Sequence, residues 1–276
     1  MMNSFITSIG VMQGRLLPKY KGRYQAHPLG NWQDEFPIAA SLQFDYIEFI
    51  LDYNDASLNP LMTASGLKEL QELSASTNVG VRSVCADYFM EAPLHHSDKN
   101  MADTSLGVLK QLMHNCQQIG IKDIVIPCVD QSSLTDAAAN KRFVEALTPL
   151  QQLAEALDVN LSLETDLAPQ PFKELLDNFT SRKITVNYDT GNSASLGYRP
   201  SEEFAAYGNR ISDIHIKDRQ LGGGSVVLGT GNADFNDFFE ALSTIEYSGP
   251  FIMQVFRDEE GVEITRKQLD WFKKLA

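Results

Sequence analysis

A single (β/α)8 barrel is the fold this sequence predicts, and three observations predict it. The chain has 276 residues, near the ~250 typical of one such barrel. Short β-rich runs alternate with longer amphipathic segments from end to end, as βα units around a parallel sheet require. Eight such runs can be read, at 9–13, 46–50, 81–86, 123–129, 160–164, 184–189, 211–217 and 251–255, and eight is the number that closes the ring. One domain over 1–276 follows.

Taken in order, the run at 9–13 ends in Gly14 and Arg15 and opens a long loop reaching Gly30. The runs at 46–50 and 81–86 come next, the second opening a loop over 87–103. From Ser105 to Ile119, Leu106, Leu109, Leu112, Met113, Cys116 and Ile119 recur at helical spacing with Lys110, Gln111 and Gln117 between them, which predicts an outer helix that Gly120 caps. The run at 123–129 contains Ile124-Val125-Ile126, apolar through consecutive positions, which suits a strand covered on both faces. A second helix is predicted over 143–157 from Val144, Leu147, Leu150, Leu153, Ala154 and Leu157. After the runs at 160–164, 184–189 and 211–217 comes a third long loop, 218–233. A helix over 235–245 on Phe238, Phe239, Leu242 and Ile245 then leads to the last run. All three long loops belong to the face where barrels of this kind build their sites.

Composition narrows the function. The chain is 43% hydrophobic and 21% charged, as soluble globular proteins are, and its formal net charge of −13 opposes nucleic-acid and anionic-membrane partners, which are held by Lys and Arg. Cys85, Cys116 and Cys128 form no CxxC pair and are odd in number, so they suit small buried thiols in a reducing cytoplasm rather than a disulfide framework. Segment 1–14 lacks the basic start of a signal peptide, and no apolar run approaches the ~18 residues of a membrane span.

An ionisable residue at the C-terminal end of an apolar barrel strand needs a partner or a purpose. Four consecutive runs carry polar residues there: Glu164, Asp189, His215 and Gln254. Each alone reads as well as a helix cap or a loop hydrogen-bonder. Together, on neighbouring strands, they favour a shared divalent metal site, with Mn, Mg, Co or Fe better suited than a closed structural Zn. Such an ion holds vicinal sugar oxygens and polarises a carbonyl while a carboxylate base, here Glu164, removes the adjacent proton. Gly229 and Gly231 in the 218–233 loop offer backbone amides to a phosphate, with Lys217, Arg219 and Arg257 to supply charge; a plain flexible turn is the other reading. Arg15 closes the first run at the same mouth, for substrate oxygens or for a loop carboxylate.

On these residues the chain resembles the xylose isomerase-like superfamily of sugar and sugar-phosphate isomerases and epimerases, particularly the ketose-phosphate 3-epimerases. The likeness spans nearly the whole chain. It is carried by Glu164, Asp189-Thr190-Gly191-Asn192, His215-Ile216-Lys217-Asp218, Gly229-Thr230-Gly231 with Asp234-Phe235, and Tyr247-Ser248-Gly249-Pro250. The resemblance implies that Glu164, Asp189 and His215 bind a divalent cation, and that a sugar or sugar phosphate is the partner. The segment Cys85-Ala86-Asp87-Tyr88-Phe89 resembles the one with which relatives shape the sugar pocket, and Arg15, Asp87, Asn192, Lys217 and Arg257 are the residues expected to contact that substrate. Self-association, common among relatives, stays open, and no apolar stripe marks an interface.

Gln254 is a departure, because the resemblance calls for a second Glu there. An amide donates an oxygen but cannot exchange protons near neutral pH. The chain then runs a one-base isomerisation, recruits another acid among Glu48, Asp87, Glu91 and Glu259, or binds sugar without catalysis. We take an active isomerase or epimerase as the reading, with a sugar-binding barrel and a polyol dehydratase as alternatives. The DNA-repair endonucleases of the same superfamily use a larger histidine set. Of His27, His95, His96, His114 and His215 only the last ends a run, and Asn192 stands where a further histidine is expected.

Overall fold

Parallel strands follow one another round a closed ring in chain order: β1 (Ile9–Met12), β2 (Tyr46–Ile50), β3 (Ser83–Cys85), β4 (Asp123–Cys128), β5 (Asn160–Thr165), β6 (Ile184–Asp189), β7 (Ile211–Ile216) and a closing strand, Phe251–Met253. The ring shuts where Ile9, Gly10 and Val11 register with Phe251, Ile252 and Met253. This computed structural model describes residues 8–275; residues 1–7, which begin the N-terminal segment read above, and residue 276 lie outside the described residues. No described helix is long and apolar enough to cross a membrane.

Strand residues alternate between the helical layer and the inside of the ring. Ile124 and Ile126 join the large apolar core under the helices, whereas Val125 between them meets Met12, Ile50, Cys85 and Ile252 in a small inner cluster. The inner positions of β4 to β7 are largely polar. Asp123 accepts from Asn160 Nδ2 at 2.7 Å, and Ser212 Oγ bridges Ser162 Oγ (3.2 Å) to Thr185 Oγ1 (2.8 Å). Burial pushes the carboxyls of Asp123 and Asp213 upward, and each has one oxygen with no hydrogen-bond partner. Unbroken hydrophobicity therefore describes the outward faces of these strands better than their inward ones.

Several strands are shorter than the sequence pattern predicts: β1 stops at Met12 and the closing strand at Met253. The 105–119 helix spans Lys99–Ile119; Asp98 caps it by accepting the Asn100 amide at 2.8 Å, and Gly120 (φ 80°) ends it in the left-handed region. Its first turn is polar and solvated, so apolar periodicity does not reveal it. The 143–157 segment is two helices, Ala137–Leu147 and Gln151–Leu157, joined by a 3-10 turn, Thr148–Leu150. Pro149 explains the break, since it has no amide hydrogen for a continuous helix.

Candidate active site

β5, β6 and β7 deliver Glu164, Asp189 and His215 to one point at the C-terminal mouth of the ring. One ligand atom from each lies within 4.8 Å of the other two. His215 Nδ1 is 3.8 Å from Glu164 Oε2 and 3.9 Å from Asp189 Oδ2. Asp189 performs two tasks at once. Its Oδ1 accepts the amides of Gly191 and Asn192, both at 2.8 Å, capping the helix Thr190–Leu196, while Oδ2 stays turned toward the cluster.

His215 is fully buried and held from both sides. Nε2 lies 2.7 Å from Glu48 Oε1, and Nδ1 lies 3.0 Å from the Asn187 amide nitrogen. A side-chain NH2 only donates, so Nδ1 presents its lone pair and Nε2 carries the proton toward Glu48. A carboxylate behind an imidazole in this way fixes the ring and directs its basic nitrogen outward. Glu48 in turn accepts from Ser83 Oγ.

Glu164 Oε1 accepts from Asn192 Nδ2 at 2.5 Å, and Oε2 accepts from Asn187 Nδ2 at 3.1 Å. Burial, reinforced by the charge of Asp189, pushes its carboxyl up to about 7, although His215 and Lys217 pull the other way. Lys217 Nζ lies 3.5 Å from Asp189 Oδ2, and its stem crosses Gly191 so closely that a Cβ there would sit 2.7 Å from Lys217 Cγ. Glycine at 191 is thus what lets the ammonium enter.

Gln254 stands just beyond the closing strand. Its Nε2 donates to Gln25 Oε1 at 3.2 Å, and its Oε1 is buried without a partner. A bare buried acceptor costs about 1–3 kcal/mol. Glu164, Asp189 and His215 together suit a hard divalent cation, and Gln254 lines the same cavity as Glu164.

Above these groups lies a cavity of about 390 Å³, within the ~300–1,000 Å³ usual for small-molecule sites. Glu164, Asp87, Asn192, Lys217, Arg219, Gln25 and Gln254 line it. Arg219 is set by a short hairpin, Asp218–Arg219 against Ser225–Val226; its Nε donates to the Gly223 carbonyl at 3.0 Å and its Nη1 to Asn192 Oδ1 at 2.9 Å. Lys217 Nζ also faces Asn192 Oδ1, at 3.4 Å, so two cations meet there in a wall that carries the carboxyls of Asp87, Asp130, Glu164 and Asp166 as well.

Other residues expected at the site have different work. The Gly229 and Gly231 amides donate to Asp218 Oδ2 at 3.0 and 2.8 Å, so they clasp a buried carboxylate of their own loop and are not free for phosphate. A Cβ at Gly231 would lie 2.2 Å from Asp218 Oδ1. Arg257 is 1% exposed and spends its hydrogens on the carbonyls of Gly14, Arg15, Leu17 and Glu259. Arg15, 2% exposed, donates to the carbonyls of Val255 and Tyr24 and to Gln25 Oε1. Both arginines therefore brace the mouth instead of lining the cavity. Among the acids raised as substitutes, Glu48 lies behind His215, Glu91 is exposed, and exposed Glu259 pairs with Lys19 at 2.7 Å. His95 packs on Phe143, and His96 Nδ1 accepts the Asp98 amide.

Two site residues escaped the sequence reading. Asn187 shares the inward face of β6 with Asp189, two positions on, and that period was the available signal. Gln25 comes from the loop after β1, where nothing periodic marks it. That loop is folded by Glu35, whose Oε1 accepts the amides of Gly14 (2.8 Å) and Leu16 (3.0 Å).

The fold and this site define a class: a closed parallel barrel whose C-terminal mouth combines a buried carboxylate and histidine cluster with a small polar cavity. The chain belongs to the xylose isomerase-like TIM barrel family, whose model matches residues 36–275. It is 26% identical over 243 residues to a putative L-ribulose-5-phosphate 3-epimerase of Escherichia coli (strain K12), covering 83% of this chain and 85% of that one. It is 25% identical over 263 residues to an L-ribulose-5-phosphate 3-epimerase of Escherichia coli O1:K1 / APEC, covering 90% and 92%. Among solved structures, a D-allulose 3-epimerase from Methylomonas sp. superposes with a TM-score of 0.77 at 18% identity over 98% of both chains. A 3-keto-D-glucoside 4-epimerase from E. coli does so with 0.75 at 16%, covering 97% and 99%. At those identities the structural likeness speaks for the fold.

Proposed function

We propose that this chain is a divalent-metal-dependent isomerase or epimerase of sugars or sugar phosphates that works by proton transfer through an enediolate. The observation that carries the reading is the meeting of Glu164, Asp189 and His215 within 4.8 Å beneath a small polar cavity. The curated relatives, named as ketose-phosphate 3-epimerases, support a phosphorylated ketose as substrate, and so do Lys217 and Arg219 in the cavity wall.

Glu164, Asp189, His215 and Gln254 are the residues that would hold the ion. When bound, such an ion supplies positive charge beside the substrate carbonyl, which lowers the cost of the enediolate. Glu164 takes the proton from the carbon next to that carbonyl. Its two amide partners, Asn187 and Asn192, aim it. Asn192 and Lys217 face the same space and would position substrate oxygens, while Arg219 with Lys217 would hold the phosphate. Asp87 lines the same cavity.

The test is solvent deuterium incorporation into L-ribulose 5-phosphate with Mn, Mg or Co added, read by NMR. Deuterium at C3 together with the C3-inverted product is the expected result. No exchange with this or any other ketose or ketose phosphate would refute catalysis and leave the sugar-binding barrel, which the amide at Gln254 favours.

A further inference from the structure

We propose that Asp87 is the second proton-transfer residue of this enzyme, acting on the face of the substrate carbon opposite Glu164 in place of the carboxylate that Gln254 does not provide. This rests on the isomerase or epimerase reading above and completes it. Inversion at a carbon needs a proton removed on one face and another delivered on the other, and an amide can do neither near neutral pH.

Placement is the first argument. Asp87 follows β3, two strands round the closed ring from β5, which carries Glu164, so the two carboxyls enter the mouth from different strands. The Asp87 carboxylate lines the same cavity as Glu164. Of the other acids in that wall, Asp166 follows Glu164 on the same strand end and accepts from Ser133 Oγ at 2.8 Å, and Asp130 follows β4, between the two.

The second argument is how the carboxyl is held. Asp87 Oδ2 accepts from Gln25 Nε2 at 3.3 Å, and Oδ1 faces the Cys85 thiol at 3.1 Å. Gln25 cannot turn round, because its Oε1 accepts from both Arg15 Nη2 (3.1 Å) and Gln254 Nε2 (3.2 Å). A chain of oriented amides thus runs from Gln254 through Gln25 to Asp87, linking the position that lacks a carboxylate to the one that has it. Asp87 makes no ion pair among the described residues, and burial raises its pKa, which favours a carboxyl able to carry a proton.

The step balances as follows. The C3–H bond breaks, its proton passes to the Glu164 carboxylate, and its electron pair becomes the C2=C3 bond as the C2 carbonyl electrons move onto oxygen. Asp87, protonated, then gives its proton to the opposite face of C3. A new C3–H bond forms, the carbonyl returns, and Asp87 is left ionised and Glu164 protonated. Exchange with water restores both.

The experiment uses the full chain with Mn and L-ribulose 5-phosphate in D2O, following C3 deuterium in recovered substrate and C3-inverted product separately. For Asp87→Asn we expect inversion to fall roughly 100-fold or more while deuterium wash-in stays within about threefold of wild type. Inversion should return in Asp87→Asn/Gln254→Glu. Inversion by Asp87→Asn near the wild-type rate would overturn the assignment. So would parallel loss of wash-in and inversion in both Asp87→Asn and Asp87→Ser, the mark of a binding or structural role. Wild-type wash-in without inversion would overturn it too and leave Glu164 as the base, whereas neither signal from wild type would defeat the isomerase reading itself.

Discussion

Glu35 gives a quantitative test of how the mouth is held together. Its carboxylate is fully buried, and burial raises its pKa from the ordinary 4.5 to about 7 despite hydrogen bonds from Gly14 and Leu16 and the charges of Arg15 and Arg257. Between those two values the unfolded chain ionises at this position while the folded chain stays neutral. Folding stability is therefore fully present below about 4.5 and is lost as pH rises to about 7. At 1.36 kcal/mol per pH unit the gap amounts to about 3 kcal/mol. Spread over the unfolding entropy of a chain this long, that corresponds to roughly 6 °C in Tm. Glu35→Gln keeps an oxygen for both amides and has no proton to lose. Other buried acids such as Glu48 titrate in the same window, so the informative quantity is a difference. Calorimetry from pH 4.5 to 8, with chelator present for both proteins, should show the fall in Tm smaller in Glu35→Gln by about that amount. Parallel curves for the two proteins would refute the account of Glu35.

Glu164→Gln should lower turnover by about 10²- to 10⁴-fold with an unchanged circular dichroism spectrum; an active variant would remove Glu164 as base. Glu48→Gln should weaken Mn binding about 10- to 100-fold by calorimetric titration, because the amide no longer holds the Nε2 proton of His215 as a carboxylate does. Unchanged affinity would mean that Glu48 does not orient the ring. Gly191→Ala should displace Lys217 and raise KM for a ketose phosphate more than for the free ketose, since the new methyl would lie where the lysine stem passes. Equal effects on both sugars would separate Lys217 from phosphate binding.

The ring and the clustered residues were legible because they break a pattern. Glu164, Asp189 and His215 are ionisable groups ending apolar strands, and only pairing or function makes such positions affordable. Gln25 was hidden, since a loop has no period against which one polar residue stands out. Arg15 and Arg257 were legible as charge near the mouth, but which oxygens a guanidinium finds depends on loops that meet only in three dimensions. Likewise the glycines at 229 and 231 signal a close approach without saying that the approaching group is Asp218. The polar interior escaped notice because an inward Asp beside an outward Ile, as in Asp123-Ile124 and Asp213-Ile214, looks like an exposed residue at a strand edge.

The seam between β1 and the closing strand has a consequence for how the protein is made. Ile9 pairs with Phe251, and Arg257 holds the carbonyls of Gly14, Arg15 and Leu17, so segments some 240 residues apart in chain order complete each other. During synthesis the loop bearing Gln25 has no finished seat until Arg257 has left the ribosome. Until then β1 and β7 present unpaired edges, the condition in which nascent sheets associate wrongly, and chaperones have most to protect in that interval.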